Sequence, residues 1–219
     1  MKKLFVLMLL MSGYLVSAQK NIYEHKNFDR LSQDHKVLAI LPFLTNLDLK
    51  HDIPKDELER LKEKEGYTVQ NALETYFSKR KTKKKFSVEF QNTKNTNAML
   101  AQHNITYENI DIYTTKQLSE ILQVDGIISG SIDLNILLSK GVPTEFNFMD
   151  YFMGDSYYGR IGIKISDGQS GKLLWKYEKK IDKKTGKNTF DLIDKMMKLA
   201  ARKFPYDREK KKDKDKNKD

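Results

Sequence analysis

The 219-residue chain reads as a single α/β domain, a sheet of about five strands with helices packed on it. Three observations carry this reading. From Gln123 a short amphipathic helix gives way at Asp125-Gly126 to an apolar, β-rich run that ends near Leu138. Val37 to Phe43 is a second continuous apolar run, stopped by Pro42. Ile161, Ile163 and Ile165 alternate up to Asp167-Gly168-Gln169-Ser170-Gly171, after which Leu173, Trp175, Tyr177 and Ile181 alternate again, the pattern of a β-hairpin.

In chain order, Val37–Phe43 is the first strand. Asp56 caps the next helix, whose Leu58, Leu61, Val69, Leu73, Tyr76 and Phe77 form one buried stripe, with Gly66 as a point where it could break. Phe86, Val88 and Phe90 alternate as a second strand, and a short helix is expected around Ala98–Gln102. Thr114-Thr115-Lys116-Gln117 has the form of a capping box, opening the helix with Leu118, Ile121 and Leu122. The adjacent Ile127 and Ile128 predict a strand buried on both faces. Its continuation alternates through Ile132, Leu134, Ile136 and Leu138, and Gly130 marks a close approach. After the hairpin, Asn188 or Thr189 caps a final helix bearing Phe190, Ile193, Met196, Met197, Ala200 and Phe204, and Pro205 ends it. No repeat of solenoid period is present.

The ends of the chain bear on compartment. Lys2-Lys3, the apolar run Leu4–Met11 and the small residues Val16-Ser17-Ala18 have the layout of a secretory signal over residues 1–18. Residues 19–35 are polar and predict an extended leader, 36–206 the folded domain, and 207–219 a disordered tail of alternating Lys and Asp. No later segment reaches the length of apolar chain that a membrane span needs. The chain has no cysteine, which excludes disulfides and acylation of an N-terminal cysteine. Net charge is +10, or +8 without Lys2 and Lys3, a balance that favours anionic surfaces. For an exported protein these are envelope surfaces and not nucleic acid.

Catalytic and metal motifs are weak throughout. His25, His35, His51 and His103 lie far apart, without a second ligand at metal spacing, and read as surface or loop histidines. Gly171-Lys172 and Gly186-Lys187 lack the remainder of a phosphate loop, and Ser129-Gly130-Ser131 lacks the glycines of a nucleophile elbow. No catalytic residue, cofactor or metal ligand is therefore expected. Two surfaces stand out. Gly141–Gly159 holds Phe146, Phe148, Met149, Tyr151, Phe152, Tyr157 and Tyr158, a density that fits either local core over the sheet edge or a partner site. Lys79, Arg80, Lys81, Lys83, Lys84 and Lys85 place cations at the negative end of a helix dipole, either as a solvated helix end or as a contact for anionic surfaces.

Three of these stretches, in this order, resemble one family. Val37–Phe43 is similar to its opening apolar strand with Pro-Phe. Val124-Asp125-Gly126-Ile127-Ile128-Ser129-Gly130-Ser131-Ile132 is similar to its central strand, and Asp167–Trp175 to its hairpin. The chain resembles, over about residues 36–204, the CsgG-like and LpoB-like envelope proteins, which include the curli secretion channel subunit and activators of peptidoglycan synthases. The resemblance implies a periplasmic domain with a mostly antiparallel sheet, working by protein contacts and not by catalysis. Two departures matter. Such relatives are typically lipoproteins, and this chain has no cysteine to acylate. Gly141–Gly159 is also too short for the two membrane-spanning hairpins of a channel subunit, so pore formation is not implied.

The expected function is that of a non-enzymatic protein, periplasmic or secreted, that contacts other proteins in secretion or envelope assembly. Its expected partners are envelope proteins, an anionic envelope surface and a second copy of itself. The rival readings are an envelope hydrolase or transferase with an unrecognised site, and a small-ligand carrier.

Overall fold

Residues 22–49, 53–81, 86–140, 157–182, 187–200 and 204–206 are described in the computed structural model of the chain. The strands are β1 (Ile22–Glu24), β2 (Val37–Ile40), β3 (Leu44–Leu47), β4 (Glu89–Phe90), β5 (Gly126–Leu134), β6 (Tyr157–Asp167) and β7 (Leu173–Asp182). The helices are α1 (Phe28–Leu31), α2 (Lys55–Lys81), α3 (Thr93–Gln102), α4 (Thr115–Leu122) and α5 (Thr189–Ala200).

The seven strands form one sheet in the order β1-β7-β6-β5-β2-β4, with β3 also on β5. The expected five-stranded, mostly antiparallel sheet is corrected on both counts. β5–β6, β6–β7 and β1–β7 are antiparallel, whereas β2–β5, β3–β5 and β2–β4 are parallel. β2 and β3 are one strand interrupted at Leu41-Pro42-Phe43, since proline has no N–H to give the ladder. β2 pairs the start of β5 and β3 its end. Residues 22–35, expected as a leader, contain β1 on β7 and the short α1. The predicted strand at Phe86–Phe90 contracts to Glu89–Phe90 at the sheet edge.

Both sheet faces carry apolar packing. On one, α2 presents Val69, Ala72, Leu73, Tyr76 and Phe77, and α5 presents Leu192, Ile193, Met196 and Met197. They meet Ile128, Ile132, Ile161, Ile163, Ile165 and the fully buried Trp175. On the other, Leu100 of α3 and Leu118 and Leu122 of α4 cover Ala39, Leu41 and Ile127. Ile127 and Ile128 therefore enter different cores, as a strand buried on both faces requires.

Local signals account for most helix ends. Thr114 and Gln117 form the reciprocal capping box at α4. Asn188 accepts from the Asp191 N–H at 3.0 Å and so caps α5. α2 does not break at Gly66. That glycine instead lets α2 cross closely over the chain at Phe43, where a Cβ would stand 2.2 Å from the Phe43 carbonyl oxygen and 2.7 Å from the Tyr107 ring. The Tyr107 hydroxyl completes the crossing, donating to the Phe43 carbonyl at 3.0 Å and accepting from Thr45 N–H at 2.7 Å. β5 ends at Leu134, ahead of the alternation seen in the sequence, and Leu138–Lys140 forms a 3-10 turn. The buried Glu65 carboxylate of α2 holds this turn, accepting from the N–H and the hydroxyl of Ser139. Burial raises the Glu65 pKa, against the lowering effect of those two hydrogen bonds.

Candidate functional site

The residues singled out from the sequence are placed unevenly. Phe146, Phe148, Met149, Tyr151 and Phe152 lie outside the described residues, as do Lys83, Lys84 and Lys85. Tyr157 opens β6, and only its backbone is described. Tyr158 is half-buried against the larger core. Lys79, Arg80 and Lys81 form the last turn of α2. Lys79 is exposed, and the Arg80 guanidinium carbon lies 4.6 Å from the centre of the Tyr76 ring, a cation–π contact that holds it along the helix.

The basic helix end adjoins a groove along the edge strand β4. Phe77 of α2 stacks on Phe90 of β4, with ring centres 3.9 Å apart and planes 12° apart. Phe86 stands edge-on to both, at 5.6 Å from Phe77 and 5.4 Å from Phe90. Around these rings runs a groove of about 490 Å³ whose rim includes Lys36, Glu74, Ser78 and Glu89. Glu74 also anchors the start of α3, accepting from the hydroxyl and N–H of Thr93 at 2.7 and 3.1 Å. Among the described residues, the result is an aromatic floor with a polar rim at the edge strand β4. That is the anatomy of an interface centre.

A second cluster was not legible in the sequence. His35, expected to be a surface or loop histidine, has a buried side chain, because it bridges two distant segments. Its Nε2 lies 2.9 Å from Asp167 Oδ1, and its Nδ1 lies 2.6 Å from the Tyr206 hydroxyl. Asp167 Oδ2 accepts from the Ser170 N–H at 2.8 Å and from the Ser170 hydroxyl. Burial acts to raise the Asp167 pKa, but hydrogen bonds from Ser170 and His35 outweigh it and hold the carboxyl below its ordinary value. The Tyr206 phenol is raised by burial and then by the charges of Asp167 and Asp125. In the neutral imidazole tautomer that satisfies both bonds, Tyr206 donates to His35 Nδ1, and His35 Nε2–H donates to Asp167.

The order Tyr206–His35–Asp167–Ser170 decides what this cluster can do. A nucleophile needs its hydroxyl on the histidine, so that the imidazole can take the proton. Here the hydroxyl on the imidazole is the buried Tyr206 phenol, shut away from any substrate, and Ser170 is bonded to the carboxylate instead. The arrangement is a staple joining the chain before β2, the β6–β7 turn and the segment after α5. It borders a cleft of about 770 Å³ that also includes Arg30, Lys116 and Asp125. That cleft lies at the starts of β2 and β5, opposite the carboxyl ends of the parallel strands, where open α/β sheets bind ligands. Among the described residues, no three His, Cys, Asp or Glu side chains gather as metal ligands would. None of the described helices is long and apolar enough to cross a membrane.

No family model and no curated protein matches the chain. Among solved structures, lipoprotein GNA1162 from Neisseria meningitidis is 12% identical, the alignment covering 67% of this chain and 80% of that one at a TM-score of 0.42. The LpoB C-terminal domain from Salmonella enterica is 10% identical over 71% of this chain and 93% of its own, at a TM-score of 0.36. A PelC dodecamer from Paraburkholderia phytofirmans is 8% identical over 74% of this chain and 88% of its own, at a TM-score of 0.26. Scores this low show neither a family nor a function.

Proposed function

We propose that the chain is a non-enzymatic envelope protein, periplasmic or secreted, that acts by binding other proteins in secretion or cell-envelope assembly. The observation that carries this reading is the groove at the β4 edge, where Phe77, Phe86 and Phe90 stack beside the cationic end of α2. Aromatic anchors within a polar rim are the usual centre of binding energy. An edge strand adds backbone groups to which an extended partner segment can pair. The basic run Lys79–Lys85 biases encounter toward acidic partners, and the aromatic stretch Phe146–Tyr158 supplies a further apolar anchor. Export rests on the signal layout of residues 1–18, and the lack of cysteine favours an unlipidated mature chain starting near Gln19. The Tyr206–His35–Asp167–Ser170 order disfavours the rival hydrolase or transferase.

Photo-crosslinking in intact cells tests this. A photoreactive residue in place of Phe86 or Phe90 is expected to capture one or a few envelope proteins, whereas the same residue at Tyr23 on the far edge strand is not expected to capture that set. Identical capture from both edges, or none from the groove, would overturn the reading. The aromatic stretch has its own readout: Phe148→Ala and Phe152→Ala are expected to reduce capture while leaving Tm in place.

A further inference from the structure

Among the described residues, the sheet face that carries α3 and α4 is only partly covered. The two helices pack over Ala39, Leu41 and Ile127. Beyond them, Ser131, Asp133, Arg160, Lys164 and Lys180 are exposed, and Ser129, Lys176 and Glu178 are half-buried. Register places these side chains in three rows across β5, β6 and β7. Ser129, Lys164 and Lys176 form one row, Ser131, Gly162 and Glu178 the next, and Asp133, Arg160 and Lys180 the third. Four cations and two carboxylates thus surround Gly162. The Lys176 ammonium engages Glu178 at 2.8 Å, a hydrogen bond that lowers the Glu178 pKa, with smaller contributions from Arg160 and Lys164.

Gly162, which pairs Ser131, is unlike Gly130 one position away on β5. At Gly130 a Cβ would stand 2.0 Å from the Gly162 carbonyl oxygen and 2.4 Å from the Phe43 ring, so packing demands glycine there. At Gly162 a Cβ would meet nothing nearer than Glu178 Cγ at 3.7 Å, ordinary contact distance, although the flanking side chains leave its backbone buried. Its backbone is extended, so no left-handed conformation requires glycine either. A glycine inside a strand weakens the strand. With neither packing nor backbone to explain it, what Gly162 provides is a gap in the middle row, between two cationic rows, that the Glu178 side chain covers. Those rows stand about 13 Å apart along the strands.

We propose that the gap between them takes an extended, acidic segment of a partner protein, laid across β5, β6 and β7 over Ser131 and Gly162. Side chains of an extended peptide alternate in direction. Acidic residues would then reach Lys164 and, in place of Glu178, Lys176 on one side and Arg160 on the other, the Glu178 side chain swinging off Gly162 to admit the backbone where a larger side chain would block it. A second copy of this chain is disfavoured, since the cations outnumber the carboxylates on the face each copy would present. The proposal rests on the reading that the chain works through protein contacts, and it adds a surface separate from the β4 groove.

The test uses the mature chain and a fluorescent (Glu-Glu-Ser-Ser)3 peptide, which carries carboxylates on both sides when extended, followed by anisotropy, with (Gln-Gln-Ser-Ser)3 as the uncharged control. The acidic peptide is expected to bind in a salt-sensitive way and the control not to bind. Arg160→Gln with Lys164→Gln should weaken binding by on the order of tenfold. Gly162→Val should abolish binding while leaving Tm equal or higher, and Gly162→Ala, the milder filling, should weaken binding without lowering Tm. Lys195→Gln with Lys198→Gln, exposed cations of α5 on the opposite face, should leave binding unchanged. Equal binding of both peptides, no binding of either, insensitivity to the Gly162 and Arg160/Lys164 changes, or loss on changing Lys195 and Lys198 would overturn the proposal. So would binding to phosphatidylglycerol vesicles without binding to the peptide. Failure here with groove crosslinks intact sinks this surface alone, whereas loss of the groove crosslinks with peptide binding intact sinks the groove as the carrier of function.

Discussion

His35 Nε2 and Asp167 Oδ1 are 2.9 Å apart, so a residue just before β2 holds the turn that closes β6 onto β7. Both side chains are buried, and each has a further partner, Tyr206 for His35 and Ser170 for Asp167. Nothing in the chain near either residue announces the pair, which spans 132 positions.

Removing the imidazole leaves the Asp167 carboxylate and the Tyr206 hydroxyl buried with a partner missing. His35→Ala is expected to destabilise the fold by about 2–3 kcal/mol, the cost of leaving buried polar groups unpaired. Urea unfolding at neutral pH measures it. A change under about 0.5 kcal/mol would show that the staple contributes little.

The same pair sets an acid limb. Asp167 is depressed in the folded state, so its contribution is present above the unfolded carboxylate value of about 3.9 and is lost as pH falls through the lower folded value. Asp167→Asn should therefore be less stable than the parent at neutral pH, and the gap should narrow as pH falls from about 5 to about 2. Parallel Tm curves over that range would contradict this.

Glu65 runs the other way. Its folded pKa is raised, so the stability linked to its protonated form is present below the unfolded value of about 4.3 and is lost as pH rises through the folded value. Glu65→Gln keeps an acceptor for Ser139 without a buried charge, and it should be at least as stable as the parent at neutral pH. Thermal unfolding at about pH 4 and about pH 8 checks it: the parent should lose more stability between them than the variant.

Gly66 offers a prediction of opposite sign to helix propensity. In an open helix interior, glycine to alanine gains about 1 kcal/mol. In α2 the new methyl would meet the Phe43 carbonyl at 2.2 Å and the Tyr107 ring at 2.7 Å. Gly66→Ala should instead cost about 1–3 kcal/mol, as overpacking does. Any rise in Tm would mean that the α2 crossing is looser than described.

Much of the local architecture was legible because its causes lie within a few residues. The α4 capping box needs Thr114 and Gln117 alone, and the turn at Asp167–Gly171 closes strands whose alternation is visible on either side. Strand ends were less legible, because a ladder stops where its partners stop. Leu134 pairs Leu47 and Gly159, the last described pairs on β3 and β6, so β5 ends there although the alternation runs on to Leu138.

By itself, then, the sequence determined an α/β domain, the hairpin, the capped helices and the stripe that α2 buries, all consequences of short-range periodicity and caps. Tertiary structure decided the parallel pairings of β2, β3 and β4, which rest on crossovers between segments far apart in the chain. It also decided the partner of His35, the gathering of Phe77, Phe86 and Phe90 into a groove, and the gap at Gly162. Each depends on register between strands or on a helix crossing, and side chains become neighbours there only after the sheet has assembled.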